Sequence, residues 1–254
     1  MRVVVSAGGT GGHIYPAIAV INKIKDLEPN SEILYIGTHN RMEKDLIPQY
    51  DINYYPLTVT GLKRKLSFDN IKTLYQFVTS INHAKSVIDD FNPDVVIGFG
   101  GYVTAPVIIA AKRLGIPTFI HEQNSVVGLA NKLLGKIATS VGVSFDNTLS
   151  EFGKKAFISG NPCSEVALHQ KPTNHKLFNN NNPVVIMACG SLGSGSINKT
   201  MIKLLPKLID KPYNFLYVSG KGYYQDFTNL KTAANVKIIP YLDDAVGYLK
   251  KADL

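Results

Sequence analysis

The sequence predicts an α/β protein in two domains, each a parallel sheet covered by helices, with the second domain incomplete. Three observations predict this. Short β-branched runs alternate with apolar residues at helical spacing along the 254 residues, which is the pattern of βαβ units covered on both faces. A glycine-rich turn follows a strand and opens a helix twice, at residues 8–12 and again at residues 190–195. Between the two repeats runs HQKPTNHKLFNNNNP, polar and without apolar period, as interdomain segments are. The first domain is placed at residues 1–163, and residues 164–254 hold the linker and the first part of the second.

The chain opens with the strand MRVVV, the turn SAGGTGGHIYPA, and a helix on which Ile14, Ile18, Ile21 and Ile24 share one face. In a strand–turn–helix unit of this kind the free N–H groups of the helix N-terminus point at an anion. The turn at Gly8 to Gly12 therefore reads as a phosphate cradle. It is not the Walker pattern, because His13 and Ile14 stand where Lys and Ser or Thr are required. Nor is it a dinucleotide fingerprint: the second strand, EILYIG, runs into Gly37, Thr38 and His39 with no carboxylate to hold a ribose.

The alternation continues with the strand DVVIGFGG, the helix APVIIAAKRLG, the strand PTFIHEQN and the helix GLANKLLGKIA. After the linker come the strand PVVIMA, the turn CGSLGSGSIN, the helix KTMIKLLPKLI, the strands NFLYVSG and VKIIPY, and the short helix DAVGYLKKA. In NPDVVIGFGG an aspartate followed by aliphatics opens a strand, and the chain ends on Asp253-Leu254 in the same way. The expectation is a fragment whose second sheet is unfinished.

A hydrophobic content of 45% suits a soluble globular core. No apolar run approaches the ~20 residues of a membrane span, and nothing resembles a signal peptide, which points to the cytoplasm. Cys163 and Cys189 lack metal-ligand spacing. The net charge of +8 calls for an anionic partner: nucleic acid, anionic lipid or a phosphorylated substrate. In GLKRKLSFDNIK, Lys63, Arg64, Lys65 and Lys72 interleave with Leu62, Leu66, Phe68 and Ile71. That pattern suits an anionic membrane surface, and equally a solvated loop leading into a helix.

The segments GGTGGHIYPA, GFGGYVTAPV, HEQNSVVGLANKLL, GNP and GSLGS, in this order and spacing, resemble the MurG family of N-acetylglucosaminyltransferases. The resemblance covers the whole chain. It implies the GT-B arrangement of two Rossmann-like domains facing across a cleft. It also implies transfer of N-acetylglucosamine from UDP-N-acetylglucosamine to the C4 hydroxyl of the muramic acid in lipid I, giving lipid II with inversion. Lipid I and the cytoplasmic side of an anionic cell membrane are the implied partners, with the enzyme peripheral and no nucleic acid involved.

Such a transfer needs the leaving diphosphate stabilised and the attacking hydroxyl deprotonated. No Asp-x-Asp occurs in the chain, so helix N-termini are left to meet the diphosphates and no metal or other cofactor is expected. The resemblance assigns Thr10, Gly11 and Gly12 to the acceptor's diphosphate and Ser191 to the donor side. Asn124 matches a donor-contact asparagine, and Tyr102 and Asn131 match positions at the cleft. His13 is the candidate base, since imidazole titrates near neutrality beside the cradle; donation of a hydrogen bond to phosphate is the competing role. Glu122 is the rival base or its orienting partner, and His121 reads as a packed strand-end residue.

The chain departs from the family in two places. Where relatives carry an arginine after GNP it has Cys163 and Ser164, which puts a cationic donor contact at Ser164 in doubt. Leu242 matches a position whose backbone reads the uracil, but the family's ribose-binding glutamate would fall beyond Leu254. The resemblance therefore leads to an inactive fragment. Rival readings are another GT-B enzyme of UDP-sugars, a lipid glucosyltransferase or an epimerase, and a non-catalytic membrane-binding module. Calorimetric titration of the chain with UDP-N-acetylglucosamine is expected to show at best millimolar binding, about 4 kcal/mol. Micromolar binding would contradict the expectation.

Overall fold

The first β-branched run forms β1 (Arg2–Ser6), in which Val3, Val4 and Val5 are all fully buried. Burial on both faces requires helices above and below the sheet. The computed structural model describes residues 1–59, 69–190 and 193–254. These fall into two units, Met1–Val166 and Ala167–Leu254.

In the first unit β1 is followed by α1 (Gly11–Leu27), β2 (Glu32–Thr38), α2 (Glu43–Leu46), β3 (Asn53–Leu57), α3 (Asp69–Phe91) and β4 (Val95–Gly98). Then come α4 (Thr104–Arg113), β5 (Thr118–Glu122), α5 (Leu129–Leu134), β6 (Ser140–Val143) and β7 (Ala156–Ile158). The strands lie in the order β3-β2-β1-β4-β5-β6-β7, all parallel. Because successive strand residues point to opposite faces, Val3 and Val5 meet Ile14, Ile18 and Ile21 of α1 in one core. Val4 meets Ile88 of α3 and Val107 and Ile108 of α4 in the other.

The chain runs outward from β1 to β3 and then returns to the opposite side of β1 with β4. The loops after β1 and β4 thus leave the sheet side by side while their helices go to opposite faces, which is the topological switch point where open α/β sheets bind ligands. The loops are joined there by backbone and side-chain bonds. Gly8 N–H donates to Gly100 O at 3.3 Å and Phe99 N–H to Ser6 O at 3.0 Å. The buried Thr104 hydroxyl lies 2.7 Å from Gly100 O and 3.1 Å from Ser6 O.

Three strands, β3, β6 and β7, have no counterpart in the sequence reading. A proline interrupts NYYPL, a glycine interrupts SVGV, and AFI is only three residues long, so none shows the unbroken β-branched run that marks β1; β7 at the sheet edge leaves Phe157 and Ile158 about half exposed.

Helix α6 (Pro162–His169) contains the boundary between the units. The second unit continues with β8 (Val184–Ala188), α7 (Gly195–Leu204), β9 (Asn214–Val218), β10 (Val236–Ile239) and α8 (Ala245–Leu249). Its sheet, β10-β9-β8, is parallel, with Phe215 and Tyr217 in one core and Leu216 and Val218 in the other. Asp253 N–H donates to Val184 O, and Leu254 O accepts from Ile186 N–H, each at 2.8 Å. The helix read from Lys199 starts four residues earlier, on the glycine turn itself.

Lys63, Arg64, Lys65 and Ser191 lie outside the described residues. Among the described residues, no helix is long and apolar enough to cross a membrane.

Gly101 sits at φ +83°, and a Cβ there would collide with the carbonyl oxygen of Gly8. Gly115, at φ +74°, has nothing within 4 Å of such a Cβ. Gly115→Ala should cost about 1–2 kcal/mol from backbone strain alone, and Gly101→Ala distinctly more, on the order of 3–4 kcal/mol. Equal costs in urea unfolding would show that the two loops are not locked together.

Candidate functional site

The switch point gathers several of the residues singled out from the sequence. Thr10, the N-cap of α1, has extended backbone, so Gly11 and Gly12 begin the helix with N–H groups that have no intrahelical acceptor. No acidic residue lies in that first turn. The positive end of the helix dipole is therefore not compensated by a carboxylate of its own first turn.

His13 lies against this turn. Its Nδ1 is 3.2 Å from Gly8 O and 3.2 Å from Thr10 Oγ1. A carbonyl oxygen can only accept, so Nδ1 carries the proton and the neutral ring keeps its lone pair on Nε2. Burial lowers the imidazole pKa below 6.5, outweighing the opposing effects of the Gly8 bond and of the Glu122 and Glu43 charges. The ring is thus neutral at pH 7 with a basic nitrogen free. The loop after β4 comes close to it: a Cβ at Gly100 would stand 2.9 Å from His13 Cδ2 and 3.5 Å from Asn131 Nδ2.

Glu122, at the end of β5, is 1% exposed, and four N–H groups surround its carboxylate. Oε1 accepts from Asn124 N at 3.0 Å and Asn124 Nδ2 at 2.9 Å. Oε2 accepts from Gly128 N at 2.9 Å and Asn131 Nδ2 at 3.1 Å. With both oxygens occupied, Glu122 cannot take a substrate proton without breaking a bond. The arrangement suits the orienting role, since it anchors Asn124, Asn131 and the start of α5 together. Asn131 also donates to His121 O at 3.0 Å, and its buried Oδ1 has no partner. His121 is buried, with Nε2 3.0 Å from Gly160 O and its ring against Phe99.

Tyr102, in the loop after β4, accepts from Arg41 Nε at 3.4 Å. Sequence reasoning missed Glu43 altogether. The four-residue α2 folds this side chain back to the end of β2, where it is completely buried. Oε1 accepts from Thr38 N at 3.2 Å and Thr38 Oγ1 at 2.7 Å, and Oε2 accepts from Gly9 N at 3.2 Å. The end of β2 thus has a carboxylate, supplied five residues downstream and engaged by protein donors. No local pattern in THNRMEKDL marks it.

In the second unit Leu242 is partly buried and packs on the core of Phe178, Leu216 and Val218. Ser164 is exposed on α6, its N–H bonded to Asn161 O at 2.9 Å. Asn198 of α7 donates to Ser219 O at 3.1 Å, tying the helix that follows the second glycine turn to the end of β9. Among the described residues, no three His, Cys, Asp or Glu side chains are grouped to hold a metal ion.

Residues 3–143 match the glycosyltransferase family 28 N-terminal domain, and residues 184–254 match the glycosyltransferase family 28 C-terminal domain. A relative from Bacillus pumilus (strain SAFR-032), UDP-N-acetylglucosamine--N-acetylmuramyl-(pentapeptide) pyrophosphoryl-undecaprenol N-acetylglucosamine transferase, is 42% identical over 262 residues, spanning 100% of this chain and 72% of the relative. A transferase of the same name from Limosilactobacillus reuteri is 40% identical, spanning 96% of this chain and 69% of the relative. The crystal structure of MurG from Acinetobacter baumannii superposes with a TM-score of 0.69 at 25% identity, covering 99% of this chain and 71% of that one. A UDP-N-acetylglucosamine 2-epimerase from Listeria monocytogenes reaches a TM-score of 0.70 at 16% identity, a likeness of fold alone.

Glu122→Gln replaces an acceptor oxygen with a donor amide that must face N–H groups. The loss should be about 1–3 kcal/mol of stability, measured by denaturant unfolding. Wild-type stability in this variant would contradict the four-donor arrangement.

Proposed function

The chain belongs to glycosyltransferase family 28, and within it to the MurG N-acetylglucosaminyltransferases; on that premise we propose that it transfers N-acetylglucosamine from UDP-N-acetylglucosamine to the C4 hydroxyl of lipid I, forming lipid II. The single observation that carries the mechanism is His13, neutral, with Nδ1 directed to Gly8 O and Nε2 free. Nε2 takes the proton of the C4 hydroxyl as its oxygen bonds to the anomeric carbon, and the bond from that carbon to the diphosphate breaks, releasing UDP. Attack from the face opposite the leaving group inverts the sugar carbon. The N–H groups of Gly11 and Gly12, with the dipole of α1, hold the acceptor diphosphate. Thr10 caps that turn, and Glu122 keeps Asn124 and Asn131 in place. Tyr102 borders the site, while Ser191 and Leu242 serve the nucleotide sugar from the second unit.

On this proposal helix N-termini take the place of a metal at both diphosphates, and the chain has no Asp-x-Asp. Attachment is to the cytoplasmic face of an anionic membrane, without a spanning helix and without nucleic acid. The basic and apolar run at residues 62–72 supports it, as do Tyr75 and Val78 of α3, 70% and 50% exposed just beyond. Each basic residue near such a surface adds about 1 kcal/mol. Replacing Lys63, Arg64 and Lys65 with glutamine should weaken binding to anionic liposomes and flatten its salt dependence. Unchanged binding leaves a solvated loop.

Because the chain spans 72% of the Bacillus pumilus relative, turnover is best read in a chimera of residues 1–254 followed by the remaining segment of that relative. It should make lipid II from lipid I and UDP-N-acetylglucosamine, at a rate unchanged by excess EDTA. His13→Ala should lower kcat by about 10²-fold or more while leaving the KM for the nucleotide sugar nearly unchanged. The acid limb of the rate should have its midpoint below 6.5, because burial lowers the His13 pKa. A loss of acceptor affinity alone would make His13 a phosphate ligand. Epimerised nucleotide sugar in place of lipid II would refute the transferase reading.

A further inference from the structure

We propose that Glu43 is a positioning residue that holds His13 in its working tautomer through the single peptide group between Gly8 and Gly9. The N–H of that group belongs to Gly9 and donates to Glu43 Oε2 at 3.2 Å. Its carbonyl belongs to Gly8 and lies 3.2 Å from His13 Nδ1. Carboxylate, peptide and imidazole thus form one hydrogen-bonded chain. A bond accepted by the carboxylate polarises the peptide and makes its carbonyl a better acceptor for Nδ1–H, as bonds in series strengthen one another. The proton is kept on Nδ1, and Nε2 stays free.

The surroundings are shaped to keep Glu43 there. Its other oxygen is fixed by the amide and hydroxyl of Thr38, and the side chain is 0% exposed. A Cβ at Gly8 would stand 2.6 Å from Glu43 Oε1, and one at Gly37 would stand 2.9 Å from Glu43 Cγ. Gly8, part of the turn that reads as a phosphate cradle, therefore makes room for this carboxylate, while Gly37 makes room for the Tyr54 ring as well as the Glu43 stem. Burying a carboxylate is costly, and a loop needing only a cap could use a neutral side chain. The charge matters at His13, where Glu43 from α2 and Glu122 from the end of β5 both favour the protonated ring against burial. The neutral side chain that meets the ring is the Thr10 hydroxyl, at Nδ1.

The inference rests on the reading of His13 as the base, and its test does not depend on turnover. Long-range ¹H–¹⁵N NMR of the histidine-labelled chain reports the tautomer and the titration midpoint of His13 directly. The wild-type neutral ring should carry its proton on Nδ1 by about tenfold, the bias of one hydrogen bond of ordinary net strength. Glu43→Gln should reduce that bias several-fold and move the midpoint lower, since a favourable negative charge is lost. Glu43→Asp, which keeps the charge but withdraws it by one methylene, should fall between and serves if the glutamine variant does not fold. A wild-type ring protonated on Nε2, or a folded Glu43→Gln variant with unchanged tautomer and midpoint, would overturn the proposal. Unaltered turnover in His13→Ala would refute the base and leave the tautomer result standing.

Discussion

The first unit's site depends on one meeting of backbones, where the loop after β1 touches the loop after β4. Gly8 N–H to Gly100 O and Phe99 N–H to Ser6 O join them, and the Thr104 hydroxyl bridges both carbonyls. This contact follows from topology: only at the reversal of strand order do two neighbouring loops diverge, one helix going to each face. The α1 N-terminus lies beside this contact. Thr10, Gly11, Gly12 and His13 lie on one of those loops and the helix start after it, and Gly100 and Tyr102 on the other.

Two buried carboxylates organise the same region from either side. Glu122 gathers Asn124, Gly128 and Asn131, while Glu43 gathers Thr38 and Gly9. Neither offers a free acceptor site to a substrate. Each stabilises a loop that would otherwise bury unpaired amide hydrogens, at a penalty of about 1–3 kcal/mol apiece. The imidazole of His13, which feels both charges, keeps the lone pair of Nε2 open.

Much of this was legible in the sequence, for identifiable reasons. A β-branched run, a glycine turn and an isoleucine stripe are local signals, and they locate β1, the cradle and α1 without tertiary information. His13 was legible because it follows the cradle directly. Glu43 was not, because its role depends on a four-residue helix returning to a strand already passed, and nothing within THNRMEKDL records that return. That the acceptors of Glu122 are all occupied was equally invisible, since saturation by four N–H groups is a property of the folded loop. The glycines were half-read: Gly11 and Gly12 do open α1, whereas Gly8 is bare to admit Glu43, and Gly100 to admit the His13 ring. β3 and β6 were hidden by Pro56 and Gly142 within their runs, and β7 by its length of three residues.

We propose that the switch point of the first unit is the diphosphate site. The most direct measurement is a ¹H–¹⁵N amide NMR titration of the chain with farnesyl diphosphate, a lipid diphosphate lacking sugar and nucleotide. The account predicts that the largest shifts fall on the amides of Gly11, Gly12 and His13, with smaller shifts at Gly100, Gly101 and Tyr102 across the loop contact. Shifts confined to residues 190–195, or spread evenly over exposed lysines, would contradict it.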